Sequence, residues 1–205
     1  MLNLQQQLEQ LIEVGRWIQA NRWCPATSGN LSTRVVGEPC FHISRSGKYK
    51  GELVVGDFLG VDFKGNVLKQ SGTPSAETLL HALIYERNPE ATFVLHSHSV
   101  YVTVLSRYLG EGDLVFNDYE LQKAFSGIHT HDTQFVVPVF SNSQDMPILA
   151  AKIEQQMDAR GLPHCFALAG HGIYTWGKSI AEAKRHLDAL EFLFECEYKS
   201  RLLAN

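Results

Sequence analysis

The chain has four cysteines and no Cys-x-x-Cys pair, which excludes a zinc ribbon and a disulfide-stapled scaffold. Cys24, Cys40, Cys165 and Cys196 therefore read as free thiols of a reducing compartment. Basic charge is scarce as well: 18 lysines and arginines face 22 aspartates and glutamates, the net charge is −4, and no basic cluster stands out, so a nucleic-acid partner is not expected. No apolar run reaches membrane-spanning length, and MLNLQQQLEQLIEVGRW carries acids and glutamines where a secretory leader places a basic patch and an apolar core. No membrane partner and a cytoplasmic location are the expectations. Neither a GxGxxG nor a Walker pattern occurs, so neither a dinucleotide nor a nucleoside triphosphate is indicated.

What is present is an ordinary globular composition, 44% hydrophobic and 20% charged over 205 residues, without repeat or linker, which suits one domain spanning 1–205. Leu4, Leu8, Leu11, Ile12 and Ile18 recur at helical spacing over about 4–21. Strands are predicted in the stretch after ATSGN, at FHIS, and in a hairpin over VDFKGNVL that turns at Gly65-Asn66. Thr73-Pro74-Ser75 reads as a helix start for AETLLHALIYER, which stops at Asn88-Pro89. ATFVLHSH then reads as a buried strand that ends on histidines. Short helices near 100–107 and 119–125, a strand at TQFVVPVF, a helix closed by Gly161 and two strands in CFALAGHGIYTWG follow. Ser179 and Glu182 form a capping box at the head of a long final helix. The fold class is α/β: a three-layer α/β/α sandwich around a largely antiparallel sheet.

In a strand, residues i and i+2 share a face, so His96 and His98 can offer two imidazoles to one cation while Ser97 points away. An isolated pair also suits hydrogen-bonded histidines at a sheet rim, because zinc needs at least three ligands. His171, between Gly170 and Gly172, supplies a third candidate whose small neighbours let the backbone approach a site. Three protein ligands and one open position is the pattern of catalytic zinc. His129 and His131 lie in a loop before a strand and read as rim or surface; His42, His81, His164 and His186 have no partner pattern.

Two carboxylates compete as acid/base. Glu77 falls in the first turn of a predicted helix, where it also favours the helix dipole, and Glu120 begins another. The small-residue clusters Ser28-Gly29-Asn30, Ser44-Arg45-Ser46-Gly47 and Ser71-Gly72-Thr73-Pro74-Ser75 can present hydroxyls and backbone N–H groups to a phosphate, although such clusters are usually turns.

Read in order, ATSGNLSTR, SGTPSAETLLHALIY, VLHSHSVYVTVLS and AGHGIYTWGKSIAEAKRHLDALEFLFE resemble the class II aldolase/adducin family over essentially the whole chain. The likeness is greatest to members that dehydrate a ketose 1-phosphate, through ELQKAFSG and the final helix. The resemblance implies one zinc ion per subunit on His96, His98 and His171, a sugar-phosphate substrate near Asn30, Ser46, Gly47 and Ser75, and a homotetramer with sites near subunit boundaries. It implies an acid/base role for Glu77, as in the family's aldolases, or for Glu120, as in its dehydratases; both are present. Ala76 stands where the aldolases usually carry a second hydroxyl residue. Phe116 or Tyr119 suits an apolar end of the substrate. A sugar-phosphate aldolase or epimerase, and a non-catalytic adducin-like interaction domain, are the rival readings.

Overall fold

A computed structural model of the protein describes residues 2–161 and 163–204. Its centre is an eight-stranded sheet. In chain order the strands are β1 (Asn30–Thr33), β2 (Cys40–Ser44), β3 (Phe58–Asp62), β4 (Phe93–Ser97), β5 (Gly112–Asn117), β6 (Gln134–Phe140), β7 (Cys165–Leu168) and β8 (Gly172–Gly177). Across the sheet the order is β3-β2-β1-β4-β8-β7-β6-β5. Every neighbouring pair is antiparallel except β6 and β7.

Helices cover both faces. α1 (Leu4–Ala20), α3 (Val100–Leu109) and α5 (Ile180–Leu203) pack on one side with Leu31, Leu95 and Ile173; α2 (Thr78–Arg87) and α4 (Met146–Arg160) pack on the other with Val94, Phe166 and Tyr174. The three-layer expectation is met. Because both faces of β4 are covered, FVLHS is buried throughout and reads as a continuous apolar run instead of an alternating one. Each fully buried aliphatic or aromatic side chain there contributes about 1.5–3 kcal/mol.

Local signals account for most element ends. Asn3 caps α1 by accepting from the Gln6 amide while the Gln6 side chain accepts from the Asn3 amide. Gly161, at φ 85°, closes α4, and Ser179 accepts from the Glu182 amide at the head of α5.

Three expectations are corrected, and one strand is added. Residues 73–76 are not helical: the Ser46 amide donates to the Thr73 carbonyl, Arg45 bridges to Pro74, and α2 starts only at Thr78 with Glu77 as its cap residue. The hairpin after β3 has the expected turn, with Gly65 at φ 84°, but its return arm is a single bridge from Val61 to Val67. The helix expected near 119–125 is a 3-10 turn over Glu120–Ala124. β5, in GDLVFN, carries no strong run of β-formers and is held by its full ladder with β6. Among the described residues, no helix is long and apolar enough to cross a membrane.

Candidate metal centre

His96 lies near the end of β4, facing the side of the sheet covered by α2, and is fully buried. Its Nδ1 donates to the Ile173 carbonyl at 3.0 Å, which leaves the Nε2 lone pair free to bind. The ring stacks on Tyr174 with centroids 3.9 Å apart. His98 follows the strand end, held there by its backbone N–H donating to the Trp23 carbonyl at 2.6 Å. Its Nε2 is 2.8 Å from that of His96.

His171 arrives from the β7–β8 connection. Gly170 turns the chain at φ 66°. Gly172 permits the close approach, since a Cβ there would sit 2.0 Å from the Ser97 carbonyl oxygen. The His171 ring comes within 5.1 Å of His96 and 4.5 Å of His98, centroid to centroid. Its Nδ1 faces Asn142 Oδ1 at 3.2 Å, and its carbonyl accepts from Thr103. Ligand atoms of the three histidines all lie within 4.8 Å of one another.

Burial and the neighbouring His98 push His96 well below the usual histidine pKa, and burial followed by His171 lowers His98 to about 4. Both are neutral at pH 7, the form that binds metal. Two imidazole nitrogens 2.8 Å apart need a shared proton or a shared cation between them. Tetrahedral zinc at 2.0–2.1 Å from each nitrogen sets them about 3.3 Å apart. The separation is close to that value, and a third imidazole faces the same point. The donor set fits a divalent cation.

Glu77 faces the histidines as well. Its Oε1 is 3.3 Å from His171 Nε2 and its Oε2 3.8 Å from His96 Nε2. Burial opposes its ionisation, but the hydrogen bond with His171, the adjacent imidazoles and the Asn30 amide hold its pKa far below the usual carboxylate range. Behind it runs a directed chain of hydrogen bonds. Asn30 Nδ2 donates to Glu77 and, at 2.8 Å, to Ser75 Oγ, so Asn30 Oδ1 must accept from His81 Nε2–H. His81 Nδ1 then accepts from Ser32 at 2.7 Å, and Ser32 from Tyr85 at 2.8 Å. Burial lowers the His81 pKa to about 3, which keeps the ring neutral and this one tautomer in place.

Beside the carboxylate is a cavity of about 210 Å³ whose lining includes Asn30, Ser46, Gly47, Ser75, Glu77 and His98. The four residues expected at a phosphate are thus brought together with one histidine. Larger hollows, such as that of about 350 Å³ beside Arg160, contain no histidine of the cluster. The sequence reading missed two features of this cavity. His81, read as having no partner, belongs to the chain that orients Glu77. Lys50 also lines the cavity; it is 1% exposed, donates to the Thr27 carbonyl at 2.9 Å, and has no carboxylate within 4.0 Å among the described residues. In the sequence, Lys48 and Lys50 look alike, yet Lys48 pairs at the surface with Asp57 and Lys50 is interred.

Glu120 is not brought to this point by its own chain. It follows β5, the outermost strand, four ladder steps from β4, or about 19 Å at ~4.8 Å per step. It lies beyond the Asn117–Gln134 end of the β5–β6 ladder, whereas Asn142, which touches His171, follows the other end of β6. Its exposed carboxylate pairs with Lys123 and, at 3.5 Å, with His131. Phe116 cannot meet a ligand: it is 0% exposed and packs on Phe194 with centroids 5.3 Å apart. Tyr119 is half-buried and accessible.

Comparison with known proteins bears on this arrangement. The profile of the Class II Aldolase and Adducin N-terminal domain matches residues 9–198. The methylthioribulose-1-phosphate dehydratase of Pseudomonas savastanoi pv. phaseolicola is 48% identical over 96% of both chains. That of Pseudomonas syringae pv. tomato is 46% identical over 100% of both. Among solved structures, L-fuculose-1-phosphate aldolase from Thermus thermophilus superposes with a TM-score of 0.77 at 24% identity, covering 98% of each chain.

Proposed function

The chain belongs to the class II aldolase/adducin family, and we propose that it is a hydro-lyase that dehydrates 5-methylthioribulose-1-phosphate to 2,3-diketo-5-methylthiopentyl-1-phosphate. The observation that carries the reading is the convergence of His96, His98 and His171 beside a cavity lined by Ser46, Gly47, Lys50 and Ser75, in a chain nearly half identical to dehydratases throughout its length. The three histidines would hold one zinc ion per subunit, which supplies a Lewis acid for the substrate carbonyl.

The protein's own groups do the rest. Ser46, Gly47 and Ser75 receive the phosphate beside Asn30, whose amide is held by Glu77 and Ser75, and the ammonium of Lys50, with no carboxylate within 4.0 Å among the described residues, supplies positive charge. Glu77 stays ionised and accepts a hydrogen bond from a substrate hydroxyl. Its carboxylate is already engaged by Asn30 and turned to His171, which suits it to orient the substrate. That favours Glu120 as the group that takes the C3 proton and returns a proton to the departing C4 hydroxyl. Water leaves, and the remaining enol tautomerises to the diketone. Because β5 lies four ladder steps from the strand of His96 and His98, and Glu120 follows the end of β5 away from His171, Glu120 would reach the site from a neighbouring subunit. A homotetramer with sites at subunit boundaries meets that need, and the half-buried Tyr119 would arrive beside it to pack on the methylthio group. The cytoplasm and methionine salvage are the setting this substrate implies.

One specific observation favours an aldolase as the second reading: Glu77, not Glu120, is the carboxylate within reach of the histidines in one chain. The test is metal analysis of the purified protein together with product analysis on methylthioribulose phosphate. A diketone supports dehydration, and two carbon fragments support the aldolase. His96→Ala is expected to lose both metal and turnover. Glu120→Gln is expected to keep the metal and lose turnover by a factor of about 10² or more; an active Glu120→Gln enzyme transfers the proton chemistry to Glu77.

A further inference from the structure

On the reverse face of the sheet from the histidines lies a buried carboxyl that the chemistry above does not use. Glu191, on the face of α5 packed against β4, is 3% exposed. Its Oε1 accepts from Ser97 Oγ at 2.9 Å, while Oε2 is buried with no hydrogen-bond partner among the described residues. Ser97 is the residue between His96 and His98, and strand alternation turns its side chain to the α5 side as theirs turn to the other. The Ser99 hydroxyl, which caps α3 by accepting from the Val102 amide, faces the same carboxyl. No cation pairs with Glu191 within 4.0 Å among the described residues, and burial raises its pKa to about 7.

A carboxyl in this position is costly. Buried without an ion-pair partner and with one oxygen unsatisfied, it is poorly matched to the leucine, phenylalanine and alanine around it on α5. A leucine would extend that core and remove the unsatisfied oxygen. What the carboxyl gains instead is a hydrogen bond to the residue that lies between the two histidines. The segment has few other restraints past the strand end: the His98 amide to the Trp23 carbonyl fixes the backbone, and among the described residues Glu191 is the one hydrogen-bond partner of the Ser97 hydroxyl.

The geometry points to Glu191 as a positioning residue for the metal centre: through Ser97 it holds the His96–His98 segment in the register at which both imidazoles meet one cation. The inference rests on the reading of the three histidines as metal ligands. Supports one step behind a ligand commonly govern metal affinity by about 10- to 100-fold.

Cobalt(II) tests it, because binding and geometry are both read from the d–d spectrum without turnover. Chelator-stripped wild type, Ser97→Ala, Glu191→Leu, Glu191→Gln and the Ser97→Ala/Glu191→Leu double variant are titrated with cobalt(II), and their metal-free melting temperatures recorded. Ser97→Ala and Glu191→Leu are each expected to weaken cobalt binding about tenfold and to shift the d–d band, with the double variant no weaker than either. Glu191→Gln, which still accepts from Ser97, is expected to stay within about twofold of wild type. Wild-type affinity and spectrum in Ser97→Ala overturn the inference, even if Glu191→Leu fails to fold. A Glu191→Gln protein that loses as much affinity as Glu191→Leu overturns it too, since charge and not the hydrogen bond would then matter. Wild type that takes up no cobalt is a different failure, that of the metal-ligand reading itself.

Discussion

If Glu120 acts from a neighbouring subunit, two inactive variants must rescue each other. His96→Ala lacks a metal site but keeps Glu120; Glu120→Gln keeps the metal site but lacks the acid/base. In a closed ring each site is built from the histidines of one subunit and the Glu120 of the next. A site in a mixed assembly works when its host is the Glu120→Gln chain and its neighbour the His96→Ala chain. With random 1:1 mixing that probability is one half times one half, so about a quarter of wild-type activity per site should return from two preparations that have almost none. The trans arrangement itself rests on the placement of Glu120 beyond the outermost strand, four ladder steps from β4. The assay is co-expression of the two chains with different tags, sequential affinity purification to retain only mixed assemblies, and measurement of diketone formation. A mixture of His96→Ala and His98→Ala serves as the control, because no arrangement of those chains completes a site. Purified mixed assemblies with no activity above either parent would refute the trans placement.

Other outcomes can be checked directly. His81 is neutral in the fold with a pKa of about 3, against about 6.5 unfolded, so its contribution is present above pH 6.5 and declines as pH falls towards 3. Between pH 7 and pH 5 that loss is about 2 kcal/mol, read as the difference between the fall in urea midpoint of wild type and the smaller fall of a folded His81→Gln variant, in which His96 and His98 still contribute. Lys50→Met is expected to raise KM for the phosphorylated substrate about 10- to 100-fold while kcat changes little, because a buried ammonium near the phosphate acts on binding. Gly172→Ala places a methyl group 2.0 Å from the Ser97 carbonyl oxygen, so it should lower stability by about 2 kcal/mol or more and reduce bound metal, as thermal melts and metal analysis will show.

Some of this protein is written locally. The stripe of α1, the capping signals of α5 and the apolar run of β4 specify elements through contacts a few residues long, and the period of two in a strand places His96 and His98 on one face wherever that strand ends up. Glycine on both sides of His171 likewise marks a close approach before its partner is known. That the three rings share one cation was an expectation from ligand count and residue type, and the resemblance to the class II aldolases implied it too; local spacing does not contain their meeting. Tertiary structure decided what depends on distant partners. β5 exists because β6 offers a ladder, Lys50 is buried while Lys48 is not because the cavity wall closes over one of them, and His81 gains a role only when β1 brings Asn30 and Ser32 to either side of its ring. Glu120 was legible as a carboxylate but not as a remote one. Its distance from the histidines is set by strand order, which side chains a few residues apart do not encode, since hydrogen-bonded ladders join segments by register and packing and not by proximity along the chain.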